Sequence, residues 1–291
     1  MNNFIQTITN MLKSKLGDSY SVSSEEIVKN NDLILHGIII NGEHTNVAPT
    51  IYLENYFDDY QHGRPLNDIV EEILHIYHTH NDISCDTAFF TDFKKIKGKI
   101  FFQLINTDSN KRFLKHIPHI PYLDFSIIFK ILIDSNPMAT ITIKENLLDI
   151  WQVSLKEVYD AAVDNTPELL PFDIMSMKKV LEELAPELSA DLPIDSFMYV
   201  LTNHQKIGGS SCILYPNVLL DFSQKINSDF YILPSSIHEV IMIPAKSSDT
   251  PEALSSMVSE VNKTQLAPED FLSNNVYYFS RENNKLVIAN A

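Results

Sequence analysis

Cysteine, glycine, tryptophan and basic residues are all scarce. Only Cys85 and Cys212 are present in 291 residues, too few and too far apart for a secreted disulfide scaffold or a cysteine-built zinc ribbon. The seven glycines form neither a Gly-x-Ser-x-Gly nucleophile elbow nor a complete phosphate loop. No apolar run reaches the roughly 18 residues of a membrane span. The longest, 33–40 and 125–133, are interrupted by His36, Gly37 and Lys130. Met1-Asn-Asn-Phe-Ile-Gln has no basic start and no apolar stretch of a signal peptide. A soluble cytosolic protein without membrane association is therefore expected. Bases number 22 against 38 acids, a net charge of -16 that repels nucleic-acid backbones.

Apolar residues make up 44% of the chain and charged residues 21%, enough to build one large core or two ordinary ones. The charge is uneven. Ten acids face only Arg64 between 43 and 92, and ten face Lys178 and Lys179 between 157 and 195. Seven bases, including Lys94, Lys95, Lys97 and Lys99, face Asp108 between 94 and 115. That basic stretch reads as a solvated rim; the sharper alternative is an anion- or RNA-binding patch, and no nucleic-acid partner is expected. Mimicry of nucleic acid by the acidic surface is a third option.

The spacing of Phe4, Ile5, Ile8, Met11 and Leu12 predicts a helix over 2–16. Strand-like segments at 20–28, 33–40 and 47–53, separated by turn residues, predict an antiparallel meander. Leu66, Ile69, Val70, Ile73 and Tyr77 predict a second helix behind Pro65, and a short helix is expected over 86–97. A strand over 99–106 precedes an extended connector at 116–121. Strand-turn-strand-helix patterns then recur 72 positions apart, over 124–151 and over 197–222, with Ile141 on Ile213 and Asp149 on Asp221. They are either a β-β-α duplication or two similar units met by chance. Both point to an α+β fold of antiparallel sheets with packed helices, in two lobes. Acidic helical segments punctuated by Pro167, Pro171 and Pro186 suggest a linker, which places the lobes at 1–190 and 191–291. A strand pair around Pro234-Ser235-Ser236, a helix from Pro251 and a hairpin over 276–288 complete the second lobe.

Two constellations carry candidate chemistry. Glu71, His75 and His78 project together from the 66–80 helix, with Glu72 three residues before His75. A Glu-x-x-His step is half of a carboxylate-bridged di-metal site, but the second step is missing, and a solvated helix end explains the residues equally. In Ser235-Ser236-Ile-His238-Glu239, an extended chain puts Ser236 and His238 on one face, where a hydroxyl can approach an imidazole. Glu239 points to the other face, and a turn with capping serines and His238 at a strand edge accounts for the same residues. Gly208-Gly209 reads as a tight turn between strands, and Cys212 as a buried thiol in a strand. No pattern implies a cofactor.

Several stretches carry a resemblance: Ala48-Pro-Thr-Ile-Tyr-Leu-Glu-Asn-Tyr-Phe-Asp-Asp-Tyr60, Asp229-Phe-Tyr-Ile-Leu-Pro-Ser-Ser-Ile-His-Glu-Val240 and Val261-Asn-Lys-Thr-Gln-Leu-Ala-Pro-Glu-Asp270. With Met198-Tyr-Val-Leu-Thr-Asn203 and Ala161-Ala-Val-Asp-Asn-Thr-Pro167, they resemble a domain-of-unknown-function family of clostridial and other gut Firmicutes proteins along nearly the whole chain. The resemblance implies a cytosolic bacterial protein of the same fold and assigns no activity, cofactor or residue role. The expected function is a non-catalytic interaction or regulatory protein with a protein partner, because no nucleophile, base and stabiliser are complete. The alternative is a hydrolase or metal-dependent enzyme built on Ser236, His238 and Glu239, with the His75/His78 group.

Overall fold

A computed structural model describes residues 1–42, 50–80, 87–133, 138–184, 198–246 and 250–289. Two compact units divide the chain, Met1–Asp92 and Phe93–Ala291. The boundary expected near 190 lies outside the described residues, and the strands on either side of that stretch pair within one sheet of the second unit.

The first unit follows its hydrophobic periodicity closely. Helix α1 (Asn2–Leu16) buries Phe4, Ile5, Ile8 and Leu12. The strands β1 (Tyr20–Val28), β2 (Ile34–Gly42) and β3 (Thr50–Tyr52) form the antiparallel meander, in the order β1-β2-β3. Helices α2 (Glu54–Gln61) and α3 (Leu66–His80) complete the core, where Ile69, Val70, Ile73 and Tyr77 join Val22, Ile38 and Ile40 of the sheet.

Two short helices stand where one was expected: α4 (Thr87–Thr91) ends the first unit and α5 (Phe93–Ile96) opens the second. A four-stranded antiparallel sheet follows, built on β6 (Phe125–Ile133), which pairs with β4 (Ile100–Asn106), β5 (His119–Tyr122) and β7 (Ala139–Thr142). The expected connector over 116–121 thus ends in a short strand. Helices α6 (Glu145–Trp151) and α7 (Leu155–Leu169) come next; α7 is closed at its start by a Ser154–Glu157 capping box and runs through Pro167. The strand β8 (Phe172–Ser176), which the helical reading of the region missed, leads into α8 (Met177–Leu184).

A six-stranded sheet contains β8, β9 (Tyr199–Asn203), β10 (Phe230–Ser236), β11 (Glu239–Pro244), β12 (Tyr277–Ser280) and β13 (Lys285–Ile288), in the order β13-β12-β10-β11-β9-β8. Helix α9 (Val218–Ile226) precedes β10, and α10 (Pro251–Thr264) packs Leu254 and Val258 on Leu233, Ile243 and Val276. Pro234 is accommodated because β12 pairs with β10 only at Phe230, Tyr231 and Ile232, so no ladder bond is required of it.

One expected strand is absent. Residues 210–214 belong to a 3-10 segment, Gly209–Leu214, which removes the second strand of the 197–222 unit and leaves the β-β-α repeat without support. Local hydrogen bonds explain the change. Ser211 N–H donates to Gly208 C=O at 3.0 Å and Tyr215 N–H to Cys212 C=O at 3.1 Å, while Ser210 N–H donates to Ile237 C=O. No helix among the described residues is long and apolar enough to cross a membrane.

Strand β4 is buried at every position, yet among the described residues it pairs with β6 alone. Its other edge is closed by side chains. The N–H groups of Phe102 and Leu104 donate to Thr166 Oγ1 (3.1 Å) and Ser211 Oγ (2.9 Å), while Asn165 Nδ2 donates to Ile100 C=O and Asn110 Nδ2 to Asn106 C=O. Thr166→Val and Ser211→Ala each strand a buried amide, so each is expected to cost ~1–3 kcal/mol in chemical denaturation, against a fraction of that for the exposed Thr7→Val.

Candidate functional site

The turn Ile237–His238 between β10 and β11 is the meeting point of the residues singled out around Ser236. The register shifts between Pro234 and Ser236, and the turn falls two residues later than the serines suggested. Ser236 is buried, and its Oγ accepts from the backbone N–H of His238 at 3.0 Å, so the hydroxyl caps the turn and does not address the imidazole. Ser235 Oγ donates to Glu239 Oε1 at 3.2 Å, which places Glu239 away from the ring as its strand position predicts. His238 has two other neighbours. Its Nε2 lies 3.4 Å from Asp270 Oδ1, and its Nδ1 accepts from Gly208 N–H at 3.4 Å. The neutral ring that serves both carries its proton on Nε2.

Hydroxyls and a thiol crowd this turn, and the backbone engages them. Thr202 Oγ1 donates to His238 C=O (2.8 Å) and Ser210 Oγ to Ile237 C=O (2.7 Å). Cys212 Sγ donates to Thr202 C=O at 3.3 Å, and burial pushes its thiol up to about 12. Asn203 brackets the loop, accepting from Ile207 N–H and donating to Ile207 C=O. Gly209 sits so close to the turn that a Cβ there would stand 2.3 Å from His238 C=O and 2.4 Å from Thr202 Oγ1. Asp270 reaches His238 from a 3-10 turn, Pro268–Asp270, whose C=O also accepts from Ile237 N–H. Nothing in the sequence signals that pairing, because 32 residues and a helix separate the two.

The helical group is spread apart. Glu71 Oε1 pairs with Lys15 Nζ of α1 at 2.5 Å. Glu72 is taken by Arg64 and by Tyr56 OH at 3.2 Å; the Arg64 guanidinium holds the Glu72 carboxyl below the usual carboxylate range. His75 and His78 are exposed. Among the described residues no three His, Cys, Asp or Glu side chains are grouped to hold a metal ion. Of the basic stretch, Lys94, Lys95 and Lys97 are exposed and Lys99 is half-buried.

An open groove of about 500 Å³ lies in the first unit, between α1 and β1. Asn2, Gln6, Asn10 and Lys13 line it from one flank of the helix, and Ser24, Glu25 and Glu26 from the strand. His36 also lines it, and its Nδ1 stands 3.1 Å from Glu54 Oε1, an oxygen that also accepts from His36 N–H. The sequence gives these residues as an ordinary polar flank, and only the packing of α1 along β1 makes them a concavity. A smaller cavity of about 200 Å³ in the second unit is bounded by Tyr122, Tyr215, Leu219 and Phe279.

Fold and site together define an α+β protein of antiparallel sheets with packed helices, whose Thr202, Ser210 and Ser236 hydroxyls bond to backbone at the β10–β11 turn and whose first-unit groove is polar and open. The chain belongs to the family of unknown function DUF5688, whose model matches residues 1–281. No curated protein and no solved structure matches it.

Two outcomes test the account of the turn. In a Cys85→Ser variant, iodoacetamide at pH 8 is expected to leave Cys212 unmodified in the native protein and to alkylate it in denaturant, as mass spectrometry reads directly, because a thiol raised to about 12 holds almost no thiolate. Gly209→Ala must push the β10–β11 turn away and is expected to cost ~1–3 kcal/mol in chemical denaturation.

Proposed function

We propose that the protein is a bacterial cytosolic interaction or regulatory protein that catalyses no reaction of its own and works by binding a protein partner. The observation that carries this reading is the state of the groups around His238. The Ser236, Ser210 and Thr202 hydroxyls are all bonded to backbone. The imidazole nitrogen opposite Asp270 faces Gly208 N–H, where a base would need to face a nucleophile's proton. The groove supports the same reading, because it is an open surface lined by amides, a lysine and two glutamates.

The alternative, a hydrolase using Ser236, His238 and Glu239, draws on Asp270, which stands where an orienting carboxylate would. A single comparison separates the two. The purified full chain is assayed against activated esters, phosphate esters and peptides, alongside Ser236→Ala and His238→Ala. Interaction predicts no turnover and recovery of a defined complex by cross-linking in a host extract. Turnover that either substitution abolishes while the fold is retained would establish the hydrolase.

A further inference from the structure

The strand that lines the groove is also a sheet edge. Nine-residue β1 has β2 as its one strand partner among the described residues, so alternate N–H and C=O groups along its outer side have no ladder to complete. Edges of this length are usually covered or kept short. Here Ser23, Ser24, Glu25 and Glu26 are all exposed, and Ser24, Glu25 and Glu26 line the groove together with the flank of α1 and His36 of β2. The side chains of Asn2, Gln6, Asn10, Lys13, Glu25 and Glu26 have no hydrogen-bond or ion-pair partner among the described residues.

Charge selects what fits. The unit Met1–Asp92 holds four bases and fourteen acids, a net of −10. A second copy of this chain would bring Glu25 and Glu26 against acidic surface, which disfavours self-pairing. Glu25 and Glu26 are adjacent, so their side chains stand on opposite faces of the sheet; Glu26 lies opposite His36 on the face that carries buried Val22. A strand laid beside β1 alternates in the same way, so two consecutive basic residues would send one cation to each glutamate.

From this we infer that β1 is a docking edge for an extended, basic segment of a partner protein, which adds as a further strand in the groove beside α1. The inference rests on the interaction reading above and names its site and partner chemistry. Main-chain hydrogen bonds supply the register, the paired cations supply selection, and the amides of Asn2, Gln6 and Asn10 are placed to meet the segment's polar side chains.

The test uses the full chain and a fluorescein-labelled octapeptide, Thr-Val-Thr-Lys-Lys-Thr-Val-Thr, with a Glu-Glu counterpart as control. Fluorescence anisotropy is expected to give saturable, salt-sensitive binding of the Lys-Lys peptide and none of the control. Glu25→Lys/Glu26→Lys is expected to weaken it at least tenfold, and hydrogen exchange to slow in 21–27. Both glutamates are exposed, and circular dichroism reports whether the double variant keeps its fold. Absence of binding at millimolar peptide, equal binding by the double variant, or protection confined to the second unit each overturns the inference. So does a dimer occupying this edge, seen in sedimentation and dissolved by the double substitution. A cross-linked partner mapped to the second unit would sink the docking edge and leave the interaction reading standing, whereas substrate turnover would sink the latter.

Discussion

A buried sheet edge governs much of what the second unit can do chemically. Strand β4 is enclosed at all its positions and, among the described residues, has a neighbouring strand on one side only. Unpaired amides in such a place cost as much as lost hydrogen bonds. The chain meets the requirement with side chains drawn from distant segments: Thr166 and Asn165 from α7, Ser211 from the 3-10 segment and Asn110 from the loop after the strand. Once Ser211 is committed, the 3-10 turn that carries it is committed too. Its neighbours Ser210 and Cys212 are then fixed against the β10–β11 turn and β9.

The same economy recurs where the two sheets of the second unit are tied together. Asp124, at the turn between β5 and β6, accepts from Ser273 Oγ (2.7 Å), Asn275 Nδ2 (3.1 Å) and Tyr277 OH (2.6 Å), and Phe125 stacks near Tyr277 with ring centroids 5.0 Å apart. Burial, reinforced by the Asp124 carboxylate, drives the Tyr277 phenol far above its ordinary range, so it stays a hydrogen-bond donor at every physiological pH. A carboxylate with three donors and a tyrosine that never ionises form a clasp, not a proton relay.

Periodic elements were legible in the sequence. Phe4, Ile5, Ile8 and Leu12 announce α1, and Ile69, Val70, Ile73 and Tyr77 announce α3, because one buried face per helix forces that spacing. The meander was equally plain from its turn residues. Misreadings cluster where tertiary hydrogen bonds outweigh local preference. Ser210-Ser-Cys-Ile-Leu214 has strand-like residues, but Gly208 in a left-handed conformation (φ 56°) and the close approach of Gly209 to His238 C=O turn it into a 3-10 segment. The β8 strand was hidden because Phe172 is exposed and Asp173 to Ser176 lie only half-buried at the sheet's end, without the alternation that marks a strand. For the site, the sequence put Ser236 and His238 near each other and the structure kept them so; what it could not supply was Asp270, or the direction of each hydroxyl.

Polar side chains in this protein therefore fall into two populations. Those of the second unit around β4, the β10–β11 turn and Asp124 are spent on backbone and on one another, which holds them in single orientations. Asn2, Gln6, Asn10, Lys13, Glu25 and Glu26 along the α1–β1 groove are held in place by the helix and strand that bear them but are exposed. A reactive centre needs groups that are both fixed and unsatisfied, since preorganisation without saturation is what lets a site act on another molecule. A binding groove needs less: positioned groups that exchange water for a partner's equivalents at little net cost. The first population already has partners in the fold, while the second lies beside a backbone feature that can add main-chain hydrogen bonds to it, an open strand edge.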